Sequence, residues 1–170
     1  MIRDPRDVIV SSYFQATRRS GVFNGTLSEF IRSEKHGIRK IITFLQGWYE
    51  NRHVPAAWML VRYEDIRADA RPMLRAVLHF MGVQDVEDAT VDAAVRFADF
   101  ENLKKLETSG YFPGRDLSPA PGGDEESCKV RKGKVGGYRD YLSPEDLEYI
   151  DRMMVELKCP FFSDRLTSAA

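Results

Sequence analysis

The sequence predicts an α/β domain, in which helices flank a parallel sheet. The stretch Trp58–Tyr63 is apolar almost throughout, as the central strands of parallel sheets are. The stretch Ile2–Tyr13 has the pattern of a strand end that turns directly into a capped helix. Several later stretches carry apolar residues at helical spacing, and these predict the flanking helices.

The composition is that of an ordinary soluble protein. With 170 residues, 43% of them hydrophobic and 30% charged, the chain is long enough for one core, and we assign residues 1–170 to a single domain. A formal net charge of -1 provides no global field that would attract nucleic acid or an anionic membrane. Because no signal peptide and no membrane-length apolar run occurs, we expect a cytoplasmic protein without nucleic-acid or membrane partners.

The two cysteines, Cys128 and Cys159, lack the spacing of metal ligands, so no metal site is expected. A reduced intracellular protein is the simplest interpretation, and a single disulfide is the alternative. Since the overall charge is close to zero, any anion must be held by a local cluster of positive groups.

The first helix is predicted to begin at Pro5. Asp4 is a good N-cap, Pro5 suits the first helical position, and Asp7 stands where a capping-box acid would be. Arg3 then lies just before the helix N-terminus, and Ser11, close to two turns beyond the cap, points the same way. A guanidinium, a hydroxyl and the positive end of a helix together suit a dianionic phosphate. From these residues alone, a simple ion pair between Arg3 and a helix-start carboxylate is an equally good interpretation.

The other elements follow from capping residues and apolar spacing. The first helix should extend to Arg19. The stripe that contains Trp48 and Tyr49 should face a core or a partner, and the helix that stops at Gly82 should pack in the core. After the first helix the predicted elements are, in chain order, a helix at Thr26–Ser33 with a capping box, a helix at Ile38–Arg52, the strand Trp58–Tyr63, a helix at Asp69–Gly82, two helical pieces within 87–107 and a last helix opened by Ser143 and Pro144.

The interval 109–137 is predicted to be a long loop, because glycine and proline are concentrated there. The loop ends in a basic run that contains Arg131, Lys132, Gly133 and Lys134. Long loops are often functional lids, and a basic run with glycine-freed N–H groups is suited to close over a phosphate. Taken alone, the same run is as readily a solvated surface.

The stretch Arg3–Ser11 resembles the 3′-phosphate-binding motif of the sulfotransferases that use 3′-phosphoadenosine 5′-phosphosulfate (PAPS). In that motif an arginine and a following serine contact the 3′-phosphate, and here they would be Arg3 and Ser11. The basic run resembles the family's second hallmark, an Arg-Lys-Gly followed by a glycine-rich turn. Arg131, Lys132 and Gly133 match it, although the chain has Gly-Gly-Tyr where the family commonly has Gly-Asp-Trp.

Two aromatic residues complete the nucleotide site that this resemblance implies. Tyr63 opens a Tyr-Glu-Asp segment similar to the one whose tyrosine contacts adenine, and an aromatic side chain at the carboxyl end of a strand is well placed for a ligand. The segment around Phe100 is similar to the one that flanks adenine, although Ala98 stands where the family often has threonine. From the residues alone, Tyr63 could instead anchor its own turn and Phe100 could be a core residue.

The resemblance implies a P-loop-NTPase-like three-layer fold, a parallel sheet with flanking helices, from which the N-terminal strand and the phosphosulfate loop are absent. Members of the family transfer a sulfuryl group from PAPS to a hydroxyl or amine of a small-molecule acceptor, and no metal is expected. The residues nominated for PAPS are Arg3, Ser11, Tyr63, Phe100, Arg131, Lys132 and Gly133. No catalytic residue is nominated, because His36, His53 and His79 all follow the 3′-phosphate motif.

The 170 residues thus match only the C-terminal part of the resembled domain, since no loop similar to its Lys-Ser-Gly-Thr segment occurs. We expect the chain to supply the 3′-phosphate and adenine part of the site, to be inactive alone, and to need a missing N-terminal segment. The alternatives are a non-catalytic remnant or nucleotide-binding module, and an α/β domain whose basic loop binds some other nucleotide.

Overall fold

The computed structural model describes residues 1–112 and 125–162. Among these residues the chain forms two compact units. The first unit lies within Met1–Arg3 and Met59–Val135, and the second unit lies within Asp4–Trp58 and Gly136–Ala170. Much of the predicted loop, residues 113–124, falls outside the described residues.

The second unit is helical, and its predicted helix starts are confirmed. Asp4 caps the first helix by accepting the N–H of Arg6, Thr26 and Glu29 form a capping box, and Ser143 accepts the N–H of Asp146. Each cap satisfies N–H groups that a helix start leaves without partners. The α-helices of this unit are α1 (Pro5–Phe14), α2 (Leu27–Arg32), α3 (Ile38–Glu50) and α8 (Pro144–Glu156).

Helix α1 ends earlier than predicted and continues as a π-helical turn, Gln15–Arg19. Its Asp7 is buried, and its carboxylate accepts the backbone N–H groups of Gly136 and Tyr138 at 2.9 and 3.0 Å. These two bonds fasten the short 3₁₀ turn Gly137–Asp140 to the first turn of α1. Asp7 therefore has a long-range structural role beyond its predicted place in the first turn.

An apolar core holds the second unit together. Helices α1, α2, α3 and α8 each contribute side chains to it, and Phe162 joins them from the segment that follows α8. The predicted stripe on α3 is buried only in part, since Trp48 and Tyr49 are 53% and 41% exposed. The most deeply buried apolar side chains are Ile9, Val10, Phe30, Ile31, Ile38, Ile42, Ile150, Met154 and Phe162.

The first unit contains an extended segment and helices α4 (Tyr63–Ala68), α5 (Ala70–Phe80), α6 (Asp88–Phe97) and α7 (Phe100–Thr108). The segment before α4 forms an isolated parallel bridge between Ile2 and Arg62. Ile2 donates its N–H to the carbonyl of Val61 and accepts the N–H of Tyr63, both at 2.8 Å. A parallel sheet was predicted here, but the described residues form only this isolated bridge. The sheet is therefore not confirmed.

The core packing predicted for α5 is wrong. None of its residues is buried, and Met81, at the end of the predicted stripe, is 68% exposed. The helix packs against α4 and α6, which leaves its apolar side half exposed. Polar contacts link it to α6 instead, because Arg71 pairs with Asp88 and Asp92 at 2.9 and 2.7 Å. None of the helices in the described ranges is long and apolar enough to cross a bilayer.

Candidate functional site

Arg3 connects two stretches of the first unit that are far apart in the sequence. Its guanidinium carbon lies 4.4 Å from the centre of the Tyr63 ring, a distance typical of cation–π contact. Its Nη2 donates a hydrogen bond of 2.9 Å to the carbonyl of Lys134, a residue 131 positions away. The chain start, the beginning of α4 and the basic run therefore meet at Arg3.

Tyr63 occupies the first position of α4, directly after the bridge residue Arg62. The sequence placed it at the end of a strand, whereas the structure makes it the start of a helix. Its backbone N–H bonds to Ile2 and its half-buried ring lies under Arg3. Its position is therefore held by the bridge on one side and by the guanidinium on the other.

Phe100 and Gly133 form a second contact in the first unit. Phe100 begins α7, where Asp99 caps the helix by accepting the N–H of Glu101. Gly133 has a φ of 56°, and a Cβ there would lie 2.4 Å from Cδ2 of Phe100. Only glycine fits this backbone, because it tolerates the left-handed conformation and leaves room for the ring. Phe100 thus lies half-buried against the basic run, and Arg67 approaches its ring to 5.9 Å.

The basic run is not a uniformly solvated surface. The Arg131 side chain is 15% exposed and pairs with Glu126 at 2.8 Å. Lys132 and Lys134 are exposed. Two positive residues on either side of Gly133 are therefore exposed, while the guanidinium of Arg131 pairs with a carboxylate.

Ser11 lies on α1 in the second unit, where it is exposed. The other nominated residues, Arg3, Tyr63, Phe100, Arg131, Lys132 and Gly133, all belong to the first unit. The partnership of Ser11 with Arg3 stays a prediction from the sequence motif.

Sequence reasoning missed two carboxylates beside the basic run. Glu107 is buried, and it accepts the backbone N–H groups of Lys129 and Val130. A signal for its burial existed, because position 107 continues the helical stripe through Phe100 and Leu103. Glu126 carried no such signal, since it lies in the predicted loop, where no periodicity indicates which side chains meet.

The arrangement combines groups of complementary chemistry. Guanidinium and ammonium groups bind phosphate, and aromatic rings offer flat surfaces on which a base can stack. Glycine backbone in the run adds N–H groups that can approach an anion closely. In the described part of the chain, no group of three His, Cys, Asp or Glu residues is placed to hold a metal ion. Groups of this kind are suited to binding an anion or a nucleotide.

Comparison with known sequences agrees with this chemistry. The family model described as sulfotransferase domain matches residues 1–158. Cytosolic sulfotransferase 17 of Arabidopsis thaliana is 30% identical over 164 residues, which cover 91% of this chain and 47% of the relative. Amine sulfotransferase of Oryctolagus cuniculus is 29% identical over 161 residues, covering 91% of this chain and 52% of the relative. The chain thus spans about half the length of the curated relatives it matches.

Solved structures show the fold. A mouse sulfotransferase complexed with PAP superposes with a TM-score of 0.68 at 18% identity, covering 98% of this chain and 59% of the other. Retinol dehydratase in complex with androsterone and the inactive cofactor PAP gives a TM-score of 0.69 at 22% identity, covering 92% of this chain and 45% of the other. The described chain therefore has the fold of the corresponding part of these proteins.

Proposed function

The chain belongs to the sulfotransferase domain family, and on this premise we propose that it supplies the 3′-phosphate and adenine part of a PAPS site. The site would serve the transfer of a sulfuryl group to a hydroxyl or amine of a small-molecule acceptor. One observation supports the proposal most directly: Arg3 contacts the Tyr63 ring and donates to the Lys134 carbonyl. Arg3, from the first motif, therefore adjoins the basic run within the first unit, as a shared ligand requires.

The proposed roles follow from the chemistry of each group. Arg3, Arg131 and Lys132 neutralise the 3′-phosphate, and the Gly133 backbone allows its close approach. Ser11 is included on the sequence motif alone, as a hydroxyl donor to the 3′-phosphate. Two half-buried rings, those of Tyr63 and Phe100, provide apolar surface for adenine.

Sulfuryl transfer requires more than these groups. Bound PAPS supplies the sulfuryl group, whose bond to the 5′-phosphate breaks as the acceptor oxygen or nitrogen bonds to sulfur. The protein must position both partners, accept the acceptor's proton and neutralise the leaving phosphate. The 170 residues contain no loop similar to the Lys-Ser-Gly-Thr segment of the resembled family. We propose that this loop and the base come from residues outside this chain, and that the chain alone binds nucleotide without transferring sulfate.

The proposal also covers the fold of the whole protein, its location in the cell and the class of acceptor. The parallel bridge between Ile2 and Arg62 supports a parallel three-layer sheet in the whole protein, to which these segments contribute. The family match runs through both units, from residue 1 to 158, which supports one partial domain. The name of the Arabidopsis relative supports a cytoplasmic location, and that of the Oryctolagus relative supports an amine among the acceptors considered.

Calorimetric titration with adenosine 3′,5′-bisphosphate (PAP) tests the proposal. We expect saturable binding by the chain and loss of that binding in the double variant Arg3→Ala and Arg131→Ala. Adenosine 5′-phosphate, which lacks the 3′-phosphate, should bind about a hundredfold more weakly, because it leaves the positive groups unpaired.

The matched control is Arg152→Ala, which removes an exposed arginine from α8 in the second unit. This variant should bind PAP as the unaltered chain does. If the folded chain does not bind PAP, or binds it no better than adenosine 5′-phosphate, the proposed function is wrong.

A further inference from the structure

Glu107 is a buried carboxylate to which the proposed nucleotide contacts assign no role. It lies in the last turn of α7 and is 1% exposed. Burying an ionised carboxylate is unfavourable unless hydrogen bonds replace its water. The bonds that compensate this cost identify what Glu107 holds in place.

Two such bonds go to the backbone just before the basic run. One carboxylate oxygen, Oε1, accepts the N–H of Lys129 at 2.6 Å, and the other, Oε2, accepts the N–H of Val130 at 2.7 Å. Both distances are short, as is typical of hydrogen bonds to a charged acceptor. Because the donors are consecutive amides, Glu107 fixes the path of the chain into Arg131.

Helix α7 holds the basic run at a second point as well. The ring of Phe100, at the other end of the helix, lies against the backbone of Gly133. One helix therefore fastens the chain on both sides of Arg131 and Lys132. Glu107 supplies the polar attachment before these residues, and Phe100 supplies the apolar attachment after them.

Resting on the proposed function, we propose that Glu107 is a positioning residue for the nucleotide site. It acts through the amides of Lys129 and Val130 to place Arg131 and Gly133 for the 3′-phosphate. A carboxylate that served only stability would affect PAP and adenosine 5′-phosphate alike. A carboxylate that positions the basic run affects the ligand that carries the 3′-phosphate.

The test is Glu107→Gln, with both nucleotides titrated into the 170-residue chain. The variant keeps the shape of the side chain, but its amide NH₂ faces one of the two backbone donors and its charge is gone. We expect the affinity for PAP to fall about tenfold to a hundredfold, and the affinity for adenosine 5′-phosphate to stay within about threefold. The matched control, Glu101→Gln, alters an exposed glutamate of the same helix and should leave both affinities unchanged.

A second variant decides the question if Glu107→Gln does not fold. Glu107→Asp keeps the charge and shortens the side chain by one methylene, so the loss of PAP affinity should be smaller but again confined to PAP. Suppose that the unaltered chain binds PAP. If the Glu107 variants then bind PAP equally well, or lose affinity for both nucleotides in parallel, the proposed role of Glu107 is wrong while the proposed function stands. An unaltered chain without PAP binding overturns the proposed function and this inference with it.

Discussion

The two units of the chain are stabilised in different ways. In the second unit, helices α1, α2, α3 and α8 bury a continuous set of apolar side chains. In the first unit, the buried apolar side chains among the described residues are Ile2 and Val91, and the buried polar ones include Glu64, Glu107 and Ser127. All the nominated nucleotide residues except Ser11 lie in the first unit, where few apolar side chains are buried.

This difference predicts that stability and nucleotide binding depend on different parts of the chain. Apolar packing is non-directional, so it can hold helices together without fixing a particular loop path. Hydrogen bonds to a buried carboxylate are directional, and they fix individual amides. We therefore expect substitutions in the second unit to alter the free energy of unfolding, and substitutions near the basic run to alter nucleotide affinity.

The largest expected effect is on stability, and a matched pair of truncations measures it. Ile42→Ala in α3 removes a fully buried side chain and should lower the free energy of unfolding by about 2–5 kcal/mol. Leu74→Ala in α5 truncates a half-exposed side chain and should cost less than about 1.5 kcal/mol. Urea denaturation followed by circular dichroism gives both values. Equal losses would contradict the contrast between the units.

The next effect is chemical, and it uses the chain's two cysteines. Burial, with a smaller contribution from the negative charge of Asp4, raises the pKa of the Cys159 thiol to about 11. Cys128, in the first unit, is only half-buried. Because the thiolate is the reactive form, Cys159 should react with a thiol reagent at about pH 8 about a hundredfold more slowly than an unperturbed thiol, and more slowly than the half-buried Cys128.

Variants with a single thiol allow the two labelling rates to be measured separately. Cys128→Ser leaves Cys159 as the reporter of the second unit, and Cys159→Ser leaves Cys128 as the reporter of the first. Unfolding in urea should bring the two labelling rates together, because both thiols then have ordinary pKa values. Similar rates in the folded chain would show that the second unit opens as readily as the first.

The smallest expected effect concerns the charge beside Arg131. Glu126 pairs with this guanidinium at 2.8 Å, so its negative charge opposes that of an incoming phosphate. Glu126→Gln should raise the affinity for PAP about threefold and leave the free energy of unfolding nearly unchanged. Glu148→Gln, on an exposed position of α8, is the control in calorimetry. A loss of affinity would mean instead that Glu126 orients Arg131 for the phosphate.

The sequence by itself determined the starts of helices α1, α2 and α8. Each capping residue lies within three positions of the residue whose N–H it accepts, so these hydrogen bonds depend only on the local sequence. The capping residues are Asp4, Thr26 and Ser143. The motifs that suggested the family could likewise be recognised in the sequence, because each is a short run of residues with a defined chemistry. The match of the family model over residues 1–158 confirmed the family.

Only the tertiary structure decided which stripes are buried and which distant groups meet. Periodicity predicted that the α3 stripe faces a core or a partner and that α5 packs in the core, yet Ile42 of α3 is buried whereas Met81, at the end of the α5 stripe, is exposed. The contact of Arg3 with Lys134 and the burial of Glu107 also depend on residues far along the chain. A local pattern specifies the side of a helix that can be buried, but the segment that packs against that side is set by long-range contacts.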